Sequence, residues 1–136
     1  AIRKDGAAPA PTAATEPLPI RIASTVQSFA ETFDKIVPLR VAAGQFVDHP
    51  ALIERGQASK RELRAAISQA FAPEFESLDE QAREELADAI GAALSLDAWI
   101  VLRRRDGLSF ERATAVWRRT LSALMGYNQV AAAAAE

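Results

Sequence analysis

Apolar residues recur at helical spacing along most of the chain, and no run of alternating β-branched residues suggests a strand. From Ile20 the positions Ile22, Val26, Phe29, Ala30, Phe33, Ile36 and Val37 make one stripe, with Arg21, Gln27, Ser28, Glu31 and Lys35 between them. This predicts an amphipathic helix ended by Pro38, since proline lacks the amide that would continue it. Leu39 to Phe46 reads as a short helix closing at Gly44. Asp48, His49 and Pro50 then supply a cap and a first-turn proline for another short turn, which Gly56 stops after Arg55. Ser59 and Glu62 fit a capping box that opens a helix over 59–71. Its stripe is Leu63, Ala66, Ile67, Ala70 and Phe71, and Pro73 ends it.

The last third has the strongest pattern. After a loop at Glu74, Phe75 and Glu76, Ser77 and Glu80 match a second capping box, and Asp79 to Arg105 reads as one uninterrupted helix. At the α-helical rise that is a rod of roughly 40 Å. Its second half, with Leu94, Leu96, Ala98, Trp99, Ile100, Val101 and Leu102, is apolar nearly all round, which implies burial on more than one side. Asp106, Gly107 and Leu108 break the rod. Ser109 caps a final helix to Met125 whose stripe is Phe110, Ala113, Val116, Trp117, Leu121, Leu124 and Met125. The two together predict a helical hairpin with surface to spare for a second copy of the chain.

Composition agrees with an all-α domain. Alanine, leucine, glutamate and arginine are abundant, and internal repeats are absent. Residues 1–19, with prolines at 9, 11, 17 and 19, read as a linker or loop; 20–125 as the folded domain; and 126–136 as a tail. The opening Ala1 to Gly6 looks like the end of a helix stopped by glycine, so a preceding segment is expected. The chain has no cysteine, which removes disulfides and thiolate metal sites and fits a reducing cytoplasmic setting. No apolar run approaches the roughly 20 residues of a membrane span. A formal charge of −2 leaves no large cationic surface for nucleic acid.

The pattern offers little catalytic chemistry. His49, the one histidine, precedes a proline in a turn and reads as a capping or surface residue. No histidine pair, phosphate loop or nucleophile elbow is present, so no enzyme activity, metal or cofactor is expected. Arg103, Arg104 and Arg105 fall in a last helical turn, where cations complement the free carbonyls. Asp97, in the apolar half of the rod, calls for a partner such as an arginine across an interface, or a place in a pocket. Phe29, Phe33, Phe46, Phe71 and Trp99 suit either ordinary core packing or the lining of a cavity, since both use the same residue types.

The stretch Ala92-Ala93-Leu94-Ser95-Leu96-Asp97-Ala98-Trp99-Ile100-Val101-Leu102-Arg103-Arg104-Arg105-Asp106-Gly107-Leu108-Ser109 resembles the junction between the last two helices of the C-terminal regulatory domain in TetR-family transcriptional regulators. Helix order extends the likeness over about Ile20 to Met125. The resemblance implies a homodimer in which the last two helices build a twofold four-helix bundle, with Leu94, Val101, Trp117, Leu121 and Leu124 at the interface. It also implies a small apolar or amphipathic effector lodged among Phe29, Phe33, Phe46, Ile67 and Phe71, with Trp99 serving either role. DNA would be bound only through an N-terminal helix-turn-helix, which these 136 residues do not contain. The alternative from the residues is a helical dimerisation or protein-interaction module without a ligand.

Overall fold

A computed structural model describes residues 14–42, 44 and 49–126, and within them every regular element is helical. In chain order these are α1 (Leu18–Ala42), α2 (Pro50–Ala70), α3 (Ala72–Glu76), α4 (Glu80–Ala93), α5 (Leu96–Ile100), a π-helical turn over Val101–Arg105, and α6 (Phe110–Leu124). The all-α class follows directly from the 3.6-residue period of the apolar positions.

α1 is the spine. It packs most extensively on α6 and also touches α5 and α2, while α4 lies against both α6 and α2. The core between them contains Val26, Phe29, Phe33, Ile67, Phe71, Ile90, Leu94, Trp99, Trp117 and Leu121, all buried. Phe33 stands edge-on to Phe29 and to Trp117, each at 6.0 Å between ring centroids. Trp99 lies 4.8 Å from Trp117 and 5.7 Å from Phe110. This aromatic chain runs from α1 to Trp117 of α6, on to Trp99 of α5 and back to Phe110 at the start of α6, and edge-on pairs of this kind add roughly 0.5–1.5 kcal/mol each beyond their burial.

Several local signals do not set the helix boundaries expected of them. Pro38 lies inside α1 and does not end it. A proline costs a helix one amide and a clash with the carbonyl four residues back, but its φ is helical. In the turn beyond it Arg40 makes an exposed contact with Asp97 of α5 at 3.2 Å. The expected short helix at Leu39 to Phe46 therefore begins as the last turn of α1, and Phe46 lies outside the described residues.

The short turn and the 59–71 helix are one helix, α2, capped by His49, whose Nδ1 accepts the Ala51 amide at 3.2 Å. Gly56 is exposed, with nothing within 4 Å of where a side chain would start. It lowers helix propensity by only about 1 kcal/mol, too little to stop a helix 21 residues long. Ser59 is consequently a mid-helix residue. The loop expected at 74–76 belongs to α3.

The expected rod from Asp79 to Arg105 is also corrected. Asp79, and not Ser77, caps α4 by accepting the Ala82 amide at 2.8 Å. α4 then stops after 14 residues, with Leu94 as its last link. Ser95 starts a new helix by accepting the Ala98 amide at 3.1 Å. A serine competes for backbone amides more readily than the alanines around it. The bend there lets Leu94 point into the core while Trp99 reaches α1. Ser109 caps α6 through the Arg112 amide at 3.1 Å, as the spacing predicts.

Candidate functional site

The hairpin formed by α5, the π turn and α6 is anchored to α1 by one carboxylate. Asp34 accepts the Trp99 indole N–H at 3.1 Å and the Arg103 Nε–H at 2.9 Å, with Arg103 Nη2 at 3.4 Å. Arg103 also donates through Nη1 to the Leu108 carbonyl at 2.8 Å. One guanidinium thus joins α1, the π turn and the segment leading into α6. The hydrogen bond from Arg103 holds the Asp34 carboxyl below its ordinary range; partial burial opposes that shift and the Trp99 bond reinforces it. The guanidinium is raised in turn, chiefly by its bond to Asp34.

A second anchor lies at the start of α1. Arg21 grips Glu74 of α3 at two points and donates to the Ala70 carbonyl at 3.2 Å and the Glu16 carbonyl at 2.6 Å. Its guanidinium also stands 5.9 Å from the centre of the Phe71 ring. Glu74 is held below its ordinary range by the Arg21 bond, and Arg21 is raised by the same contact. One turn along α1, Thr25 is buried and its hydroxyl has no hydrogen-bond partner among the described residues.

The residues expected at the two sites fall in different places. Phe29, Phe33, Ile67, Phe71 and Trp99 all face the interior, between 0 and 3% exposed. Phe29, Phe33 and Trp99 take part in the chain of edge-on and tilted rings. Of the interface set, Leu94, Trp117 and Leu121 are no more than 2% exposed within a single chain, so they have no surface to present to a second one. Placing them at an interface is corrected. Counting apolar positions on a helix cannot separate a face buried by its own chain from one buried by another. Val101, 38% exposed, and Leu124, partly buried, retain surface. Leu124 extends a part-buried row that Val116 and Thr120 begin, every four residues along α6.

Asp97 pairs with Arg40 of its own chain, on the surface. Arg103 is engaged sideways with Asp34 as well as lying near a helix end. Arg104 and Arg105 are exposed. The two anchors were not foreseen from sequence. One signal for them existed: Arg21 and Thr25 sit four residues apart, in line with Phe29, and so put polar groups on an apolar face. A surface groove on α1 and α6 is lined by Ala23, Ser24, Gln27, Ser28 and Arg118, four of them polar or charged, unlike an apolar effector pocket. Among the described residues no group of three or more His, Cys, Asp or Glu side chains is placed to hold a metal ion. No described helix is long and apolar enough to cross a membrane.

No protein-family model matches the chain, and no solved structure matches it. Among curated proteins it is similar to the L-cysteine:1D-myo-inositol 2-amino-2-deoxy-alpha-D-glucopyranoside ligase of Streptomyces griseus subsp. griseus, at 39% identity over 66 residues. That stretch is 46% of this chain and 16% of the ligase, so the chain spans a small part of that relative's length.

Proposed function

We propose that this chain is the effector-sensing and dimerisation domain of a TetR-like transcriptional repressor, working in the cytoplasm with no catalytic activity of its own. DNA binding would belong to a helix-turn-helix outside these residues. The observation that carries the reading is the terminal hairpin: α6 keeps a part-buried row at Val116, Thr120 and Leu124, and Val101 stands exposed on the π turn. A row of that kind suits a twofold partner, in which the same patch meets itself. The Gly107-Leu108-Ser109 lead into α6 is part of the family resemblance drawn from the sequence.

The effector would enter between α1, α2 and the segment from α4 to the π turn, and Thr25, a buried hydroxyl without a partner among the described residues, would meet its polar group. Binding would act as a switch only by favouring one arrangement of the dimer over another.

One observation favours the alternative of a dimerisation module without a ligand: the expected pocket residues are buried in the core, several of them ring against ring. The two readings separate by thermal denaturation against a panel of apolar and amphipathic small molecules, with the mass in solution determined alongside. A ligand at a hundredfold excess over its Kd stabilises the native state by about 2.7 kcal/mol. A dimer that is stabilised supports the sensor reading. A dimer unmoved by the whole panel supports the module, and a monomer sinks both.

A further inference from the structure

The end of the α5 segment carries one residue more than an α-helix needs. Asp106 donates its amide to the Val101 carbonyl at 2.8 Å, five residues back instead of four. Leu108 donates to the Leu102 carbonyl at 3.0 Å, six residues back. In the usual glycine-ended helix the second amide beyond the cap reaches only five back. Gly107 holds the left-handed φ of +67° that such an end requires. Both bonds are therefore stretched by the same single residue.

A one-step slip would shorten both spans by one residue at once. Asp106 would bond Leu102, and Leu108 would bond Arg103, giving an ordinary α-helical end with the same number of backbone bonds. With these two bonds kept in either register, a side chain that spans the turn can bias the choice between them. The Arg103 guanidinium is placed to do so, since it holds Asp34 on α1 and the Leu108 carbonyl beyond the turn together.

We propose that the Val101–Arg105 turn is a two-register switch, held in its π form by the Asp34 and Arg103 clamp and released to the α register when α1 shifts away. One residue of slip turns the following backbone by roughly 100° relative to the helix axis. A small movement of α1 is thereby converted into a discrete change at Val101 and at the entry to α6. Single-turn π segments are rare and occur frequently at functional sites. The consequence for dimer geometry rests on the function proposed above; the register switch does not.

The test is nuclear magnetic resonance on the full chain, reading which carbonyl each amide bonds from scalar couplings across the hydrogen bond. The native protein should show the Asp106 to Val101 and Leu108 to Leu102 pairs. In Asp34→Ala both should move by one residue, with helical chemical shifts kept over 101–105. The Asp106 and Leu108 amides should also exchange about tenfold faster or more, while those of α6 keep their protection. Should Asp34→Ala not fold, Arg103→Met removes the clamp while leaving the Trp99 bond to Asp34. Unchanged pairs in the folded variant, or coil-like shifts over 101–105, would overturn the switch. Sedimentation of the same samples decides the dimer separately: a monomer whose register still moves refutes the proposed function and leaves the switch standing.

Discussion

Arg21 of α1 and Glu74 of α3 meet in a two-point ion pair, Nη1 to Oε1 at 2.6 Å and Nη2 to Oε2 at 2.9 Å, across 53 positions of sequence. Arg21 is 6% exposed and gives two further N–H groups to backbone carbonyls. Truncating it leaves Glu74 unpaired and two carbonyls short of a donor. Arg21→Ala is expected to lower stability by about 2–4 kcal/mol in urea denaturation. Glu74→Gln keeps an acceptor and should cost less. Equal small effects from both would show that the pair contributes only as an exposed one would.

Acid should weaken the fold through the two anchors. Asp34 and Glu74 are both held below their ordinary values of 3.8 and 4.5, so the unfolded chain takes up protons before the native one does. Their contribution is therefore fully present above about pH 5 and is lost as pH falls through 4 and below. Urea midpoints measured from pH 7 to 3 should drop over the acid end. In a double variant Asp34→Asn, Glu74→Gln the drop should be shallower. An identical slope in wild type and variant would assign acid sensitivity to other carboxylates.

Two leucines three residues apart on α6 separate core from interface. Leu121 is fully buried, so Leu121→Arg forces a charge into the core and should yield unfolded or insoluble protein. Leu124→Arg and Val101→Glu act on residues with surface left and should give folded monomers by light scattering, with circular dichroism unchanged. Folded dimers from both surface variants would remove the hairpin from the interface.

The helix boundaries have their own test. If α2 runs through Gly56, Gly56→Ala should raise stability by about 0.5–1 kcal/mol, since the site is open and helical. If α5 starts afresh at Ser95, Ser95→Ala should lower it by about 1 kcal/mol through loss of the cap. A neutral Ser95→Ala would favour a continuous rod. A Gly56→Ala that destabilises would put a break in α2.

By itself the sequence determined whatever depends on near neighbours. The all-α class follows from the apolar period. The Ser109 cap and the stripe of α6 follow from residues within four positions of one another, as does the break at Gly107, where only glycine takes φ +67° without strain. His49 as a cap belongs with them. Which interruptions the chain would tolerate was decided by tertiary structure. Pro38 falls in the exposed end of α1 and Gly56 in the exposed first half of α2, and each lowers helix propensity there without breaking its helix. Ser95, a weaker local signal than either, becomes a true boundary because the bend seats Leu94 in the core and brings Trp99 to Asp34. The same holds for the partners of Arg21 and Arg103, found 53 and 69 positions away. Apolar spacing states that a face is buried but not by what, and only the packed chain shows that Leu94, Trp117 and Leu121 are covered by their own fold while Val101 and Leu124 keep surface.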